Sequence, residues 1–300
     1  METWVLFTFG AVVFQTLRFM VQKQLSTSSL SASGATFARF IYSAPLVLAA
    51  VPFLLNIYGL DWPHFSLTFW LYAWVGGITQ IFATVFVLLI FRSRHFAVGV
   101  TLKKTEVLLT AIVSLAVLGE GVSLPALVAI MVGLAGVLLL SDLPGGDAPL
   151  WRRIGNRAAV LGIGSGVLFA LSGVCYRGAT LEIAADEPLV RAVVTLAAVG
   201  MSQLIGMGLW LRLREPGEIG RVVGAWRTAG LVGLTSLFGS VCWFTAFTLQ
   251  NATYVYAVGQ SEVILSLMAG YLFFRERLSS REIVGIGLIT ASVLSLILLV

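Results

Sequence analysis

Ten apolar stretches, each close to the length of one bilayer crossing, follow one another along this chain with only short polar connections between them. They fall near residues 3–22, 33–55, 67–91, 96–118, 124–141, 158–177, 188–211, 226–248, 253–274 and 282–300. A hydrocarbon core of about 30 Å is crossed by roughly 20 helical residues rising 1.5 Å each. Ten crossings therefore use nearly all of the 300 residues and leave no room for a soluble domain. Composition agrees, since 11% of the residues are charged against about 25% in soluble proteins. The expected fold is an all-α polytopic membrane protein. A net charge of +5 would suggest nucleic acid as a partner of a soluble chain, but at helix ends in lipid it sets orientation instead.

The two halves of the chain resemble each other. At an offset of 156 residues Glu106 falls on Glu262, Glu120 on Glu276, Trp70 on Trp226, Thr79 on Thr235, Phe82 on Phe238 and Ser123 on Ser279. Residues 1–144 read as a first five-helix repeat, 145–157 as the connection between repeats and 158–300 as the second five-helix repeat. Five is odd, so a continuous chain inserts its second half upside down, and duplication implies inverted symmetry. Repeats of this kind meet around substrate sites near the middle of the bilayer.

Charge in the connections gives an orientation. Lys23, Arg92, Arg94, Arg152, Arg153, Arg157, Arg212, Arg214, Arg221, Arg227, Arg275, Arg277 and Arg281 lie in or beside odd-numbered connections, whereas the even ones offer essentially Arg177. The positive-inside rule makes the odd connections cytoplasmic and puts both termini on the other side of the inner (plasma) membrane. The opening stretch has no basic n-region and runs into Gln15 and Arg18, so it reads as a spanning helix rather than a cleaved signal. Helix starts carry capping chemistry: Ser123 precedes Pro125, and Ser279 with Glu282 has the spacing of a capping box.

Several chemistries are excluded by missing context. Gly162, Gly164 and Gly166 follow no strand, and no GxxxxGK[ST] occurs, so nucleotide binding is not expected. His64 and His95 stand far apart, Cys175 and Cys242 lie in apolar stretches, and neither HExxH nor an intramembrane GxSG is present. No metal, cofactor or enzymatic nucleophile is implied.

The informative residues are ionisable groups inside spans, because a charge at the bilayer centre costs at least about 2.5–3.5 kcal/mol and usually faces a cavity or a partner. Glu106 and Glu262 are symmetry mates at that depth. Lys103 and Thr110 extend a polar stripe along the face of Glu106, and Ser266 does so beside Glu262. Two readings attach to the pair. In one, Lys103 neutralises Glu106 while Glu262 pairs with Arg191 or Arg177, for packing alone; in the other, the glutamates contact substrate or carry a coupling proton. Arg18, Arg39, Lys103, Lys104 and Arg191 outnumber the buried acids and favour an anionic or zwitterionic ligand, although Arg18, Arg39 and Arg191 can also snorkel to headgroups. Gln15 and Gln260 add hydrogen-bonding capacity, and Trp243, Tyr176, Tyr254 and Tyr256 shape one mouth of the cavity. Trp4, Trp62, Trp70, Trp151, Trp210 and Trp226 read as an interfacial belt.

The five-plus-five arrangement, with SLAVLGEGVSLPALVAIMVGLAGVLLL at 114–140 and SEVILSLMAGYLFFRERLSSREIVGIGLITASVLSLILL at 261–299, resembles the drug/metabolite transporter superfamily, specifically its EamA-type members. Gly119-Glu120 matches that family's turn, whereas the second copy departs from it with Arg275-Glu276. The resemblance implies an alternating-access carrier with a central cavity, often an exporter of amino acids or other metabolites, working without ATP hydrolysis. Its relatives generally keep their termini in the cytoplasm, opposite to the orientation read from charge. The expected function is secondary transport, in the efflux direction, of a small anionic or zwitterionic metabolite of the amino-acid or organic-acid class. A flippase for a lipid or lipid-linked sugar and a noncatalytic membrane scaffold are the alternatives. Oligomeric state and the choice between proton coupling and exchange stay open.

Overall fold

The computed structural model describes residues 2–92, 103–140, 157–265 and 280–299. Among them every regular element is helical: α1 (Thr3–Ser28), α2 (Ala32–Tyr58), α3 (Leu67–Phe91), α4 (Glu106–Leu118), α5 (Leu124–Leu140), α6 (Arg157–Leu181), α7 (Pro188–Arg214), α8 (Glu218–Gly224), α9 (Trp226–Leu249), α10 (Ala252–Gly259) and α11 (Ser280–Leu299). Six of these, α1, α2, α3, α6, α7 and α9, are long and apolar enough to cross a membrane. Residues 145–156 of the connection expected at 145–157, whose last residue Arg157 already begins α6, and the residues Glu276, Ser266 and Ser279, with the side chain of Glu282, lie outside the described residues.

Local chemistry sets the helix ends. Ser31 and Ser66 accept from the amides of Gly34 and Phe69, each at 2.9 Å, and Asn251 accepts from Thr253 N at 2.7 Å. These side chains satisfy amides that the first helical turn leaves free. Gly59 and Gly119 end α2 and α4 at φ of 63° and 70°, a left-handed conformation that L side chains resist.

Two elements differ from expectation. Uninterrupted helices are expected over 96–118 and 253–274, yet both hydrogen-bond ladders are interrupted. A turn at Lys104–Thr105 precedes α4, and a turn at Gln260–Ser261 separates α10 from a new helical stretch that begins at Glu262. The backbone stays right-handed at Thr105 (φ −63°, ψ −10°) and Gln260 (φ −62°, ψ −17°). In the second break the amides of Gln260 and Ser261 bond carbonyls three residues back, the tighter 3₁₀ pattern. Hydropathy follows side chains, and such a tightening changes bonding without changing polarity. The connection expected between Arg212 and Ala225 also holds the short helix α8. Its Glu218 is fully buried, accepts from Ser31 N at 2.6 Å and pairs with Arg221, which fixes α8 beneath the start of α2.

In the bundle α1 lies along α9, α3 along α6, α2 along α7, and α5 along α11, while α4 rests on α6 and α10. Close contact is required between α5 and α11, where a Cβ on Gly136 would stand 2.9 Å from the carbonyl oxygen of Gly285. Phe53, Leu67 and Leu298 point outward, as helices surrounded by lipid require.

Candidate functional site

Both helix breaks face the same interior chamber. Gln15 and Arg18 enter it from α1, Arg39 from α2, Gln80 from α3, and Lys103 and Glu106 from the first break. Phe169 and Tyr176 come from α6; Ser240, Trp243, Phe244 and Phe247 from α9; Tyr256 and Gly259 from α10; and Glu262 from the second break. Atom-free space here, counted out to its open side, is about 540 Å³. The part of it that water-sized molecules can occupy is about 30 Å³, room for a water or two, so a larger solute is admitted only when these walls part.

Glu106 opens α4, where the positive end of the helix dipole favours a carboxylate, and Glu262 opens the helical residues that follow the second break. Lys103 Nζ stands 3.2 Å from Glu106 Oε1, and Lys104 Nζ 2.8 Å from Glu262 Oε2. The second pair is the more telling, because it joins the break of one half of the chain to the break of the other. Glu262 also accepts from Gln15 Nε2 at 3.4 Å, and Gln15 Oε1 in turn accepts from Trp243 Nε1 at 3.1 Å.

Once these pairs are closed, two arginines stand over. Arg39 donates to Ser240 Oγ at 2.9 Å, but its Nη1 and the Nε of Arg18 are buried with no hydrogen-bond partner among the described residues. Both side chains are about 4% exposed, so snorkelling to headgroups does not describe them. Guanidinium groups stay protonated in proteins, and a buried charge with unused donors invites an anion. Aromatic rings form the rest of the wall. Trp243 lies 5.5 Å from both Phe247 and Tyr256, and the ammonium of Lys103 sits 4.8 Å above the Phe169 ring.

The structure brings together Glu106, Glu262, Lys103, Lys104, Arg18, Arg39, Gln15, Trp243 and Tyr176, and leaves three of the expected residues elsewhere. Arg191 is taken up by the carbonyl of Thr180 at 2.9 Å, Tyr254 accepts from Ser123 N at 3.4 Å, and Gln260 is buried beside Gly133 and Ser292 of the α5/α11 pair. Neither Arg191 nor Arg177 pairs with Glu262. Arg177 instead holds Glu120 at 2.8 Å and donates to the carbonyls of Phe247 and Thr248, so the turn acid Glu120 has a tertiary structural task. Gln80, Ser240, Phe169, Phe244 and Phe247 line the chamber without having been singled out. Ser240 was findable, since the repeat offset places it on Thr84, another buried hydroxyl. The phenylalanines carry no distinguishing signal in a chain with 19 of them.

The architecture recurs in known proteins. One solved crystal structure superposes over 100% of this chain and 99% of its own length, with a TM-score of 0.73 at 17% sequence identity; at that identity the likeness speaks for the fold alone. Residues 156–298 match the model of the EamA-like transporter family. The chain is therefore a multi-pass, helical membrane protein by its apolar spans, and its second half is similar to the EamA-like transporter family.

Proposed function

We propose that the chain is a secondary carrier that exports a small anionic or zwitterionic metabolite, of the amino-acid or organic-acid class, by alternating access. The observation that carries this reading is the pair of buried arginines, Arg18 and Arg39, in which Arg18 Nε and Arg39 Nη1 have no hydrogen-bond partner among the described residues. A carboxylate or phosphate would supply the missing acceptors. The aromatic wall would shelter the remainder of the molecule, and the Lys103–Glu106 and Lys104–Glu262 pairs would offer the exchangeable partners that a bound charge can displace.

The pattern of helix packing supports two halves, 1–144 and 158–300, related by a two-fold axis. Exchanging the halves turns the α1/α9 contact into α6/α3, and maps α2/α7, α4/α10 and α5/α11 each onto itself. With five crossings per half the repeats are inverted, and rocking one against the other would expose the chamber alternately. The Lys104–Glu262 pair spans that boundary and would break and re-form in each cycle. Glu106 and Glu262 are the candidates for a coupling proton. Charge in the connections supports an orientation with both termini outside the cytoplasm; activity, in a fusion after Val300, of a reporter that works only in the cytoplasm would reverse that orientation.

The decisive experiment is a metabolite-resolved transport screen in proteoliposomes, with and without a pH gradient. Accumulation of an anionic or zwitterionic solute that is lost in Arg18→Gln and Arg39→Gln is the expected result. Transport confined to cations, or unaltered by both substitutions, would overturn the reading.

A further inference from the structure

A second and larger concavity lies on the outside of the bundle, between α3 and α7. Its atom-free space, counted to its open side, is about 1060 Å³. One wall is Trp74, Ile78, Phe82 and Val85 of α3, and the other is Met207 and Trp210 of α7. At Gly206, on the floor, an added Cβ would meet no atom within 4 Å. From Ala73 to Val85 the groove follows about 18 Å of helix at 1.5 Å per residue, close to one leaflet's share of a hydrocarbon core about 30 Å thick. These residues are the middle of α3 (Leu67–Phe91), so the groove straddles the membrane centre and stops about 9 Å short of the surface where α3 ends.

That surface is basic on the same two helix stripes. Arg92 stands two turns beyond Val85, continuing α3 with right-handed backbone, and Arg214 one turn beyond Trp210 as the last residue of α7. Both are exposed. The nearby acids are engaged: Glu215 accepts from the hydroxyl of Ser31, and Glu218 from its amide.

We propose that this groove holds an acyl chain of an anionic phospholipid, with its phosphate at Arg92 and Arg214. The lining of the groove selects hydrocarbon, and the cations beyond its end, on the side where α3 and α7 terminate, select the headgroup, since each arginine at a membrane surface favours anionic lipid by roughly fivefold. The inner end of the chain meets Gln203, which is bonded to Gly77 O at 2.9 Å, Gln80 Oε1 at 3.2 Å and Tyr176 OH at 3.3 Å. Gln80 and Tyr176 also line the transport chamber, so a single polar partition separates lipid from chamber. The site stands independently of what the chamber carries.

Brominated acyl chains quench tryptophans that they touch, and Trp74 and Trp210 mark the two ends of the groove. The protein is reconstituted in phosphatidylcholine vesicles containing a small, equal fraction of either brominated phosphatidylglycerol or brominated phosphatidylcholine. Trp74→Phe/Trp210→Phe protein gives the background from the other tryptophans. The groove signal is expected to be quenched several-fold more by the anionic lipid. In Arg92→Gln/Arg214→Gln the two lipids should quench alike, whereas Gly206→Leu, which fills the floor, should lower quenching by both. Equal quenching in the wild type, or a preference untouched by the arginine substitutions, would overturn the proposal. So would groove tryptophans shielded from both lipids, because a second copy of the chain would then cover this face.

Discussion

Lys104 and Glu262 form a 2.8 Å ion pair between two helix breaks that occupy corresponding places in the two halves of the chain. Lys104 corresponds at the 156-residue offset to Gln260, and Glu106 to Glu262, so the bridge runs from the cationic position of one break to the acidic position of the other. The lysine is 5% exposed and the glutamate 17%. Removing either partner leaves a largely buried charge uncompensated, a change that commonly costs about 3–5 kcal/mol, whereas removing both together costs far less.

Lys104→Gln and Glu262→Gln should each lower the midpoint of thermal unfolding in detergent, and the double variant should recover most of the loss. A double variant as unstable as the two single losses added together would show that the pair contributes no coupling energy. Transport should fail in all three, since the double variant restores stability without restoring the switchable bridge.

Arg39 donates one arm of its fork to Ser240 and holds the other toward the chamber. Lysine in its place keeps the charge but is a point donor that cannot present two parallel N–H groups. Hydrogen bonds to charged groups contribute about 1.5–3 kcal/mol. Arg39→Lys is therefore expected to raise KM for the proposed anionic or zwitterionic substrate by roughly tenfold to a hundredfold while leaving the unfolding midpoint nearly unchanged. An unaltered KM would remove Arg39 from direct substrate contact.

Apolar run length and the rarity of charge made the helices legible, because lipid demands both and the demand is continuous along each span. The offset that aligns Glu106 with Glu262 likewise located the heart of the chamber, since intramembrane carboxylates are rare enough to stand out. What hydropathy missed was geometric. The turns at Lys104–Thr105 and Gln260–Ser261 leave polarity untouched, and Glu262 chose Lys104 rather than the distant Arg177 or Arg191 because the second break faces the first. Arg177 and Arg191 resembled site residues by type, yet backbone carbonyls and Glu120 consume their donors. Only coordinates separate a buried arginine with spent donors from one, such as Arg18 or Arg39, that keeps a donor without a partner among the described residues.

That distinction can be measured. Arg177 binds Glu120 and also ties down the carbonyls of Phe247 and Thr248 at the end of α9, where the last turn of a helix has no amide partners of its own. Arg177→Gln should therefore destabilise the protein by about 2–4 kcal/mol through the lost pair and orphaned acceptors. Because Arg177 lies outside the chamber lining, the surviving folded fraction should transport with normal KM. A normal unfolding midpoint combined with a raised KM would reverse the assignment.

Gly259 tests why the two halves are not identical at their breaks. The offset places it on Lys103, so strict repetition would put a long side chain there. A Cβ at Gly259 would stand 2.9 Å from Cη2 of Trp243, closer than real contacts allow, and the indole is already fixed by its bond to Gln15 and by stacking on Phe247. The second half thus gives up its basic residue to seat the tryptophan that orients Gln15 toward Glu262. Gly259→Ala should push Trp243 off this position at a cost of about 1–3 kcal/mol, typical of overpacking. It should also break the Trp243–Gln15 bond. The expected signs are a shifted emission maximum relative to wild type, absent when the substitution is made in a Trp243→Phe background, and transport reduced to the level of Gln15→Ala. Emission and transport both unchanged would mean that the indole moves freely and that the glycine serves no purpose in the chamber.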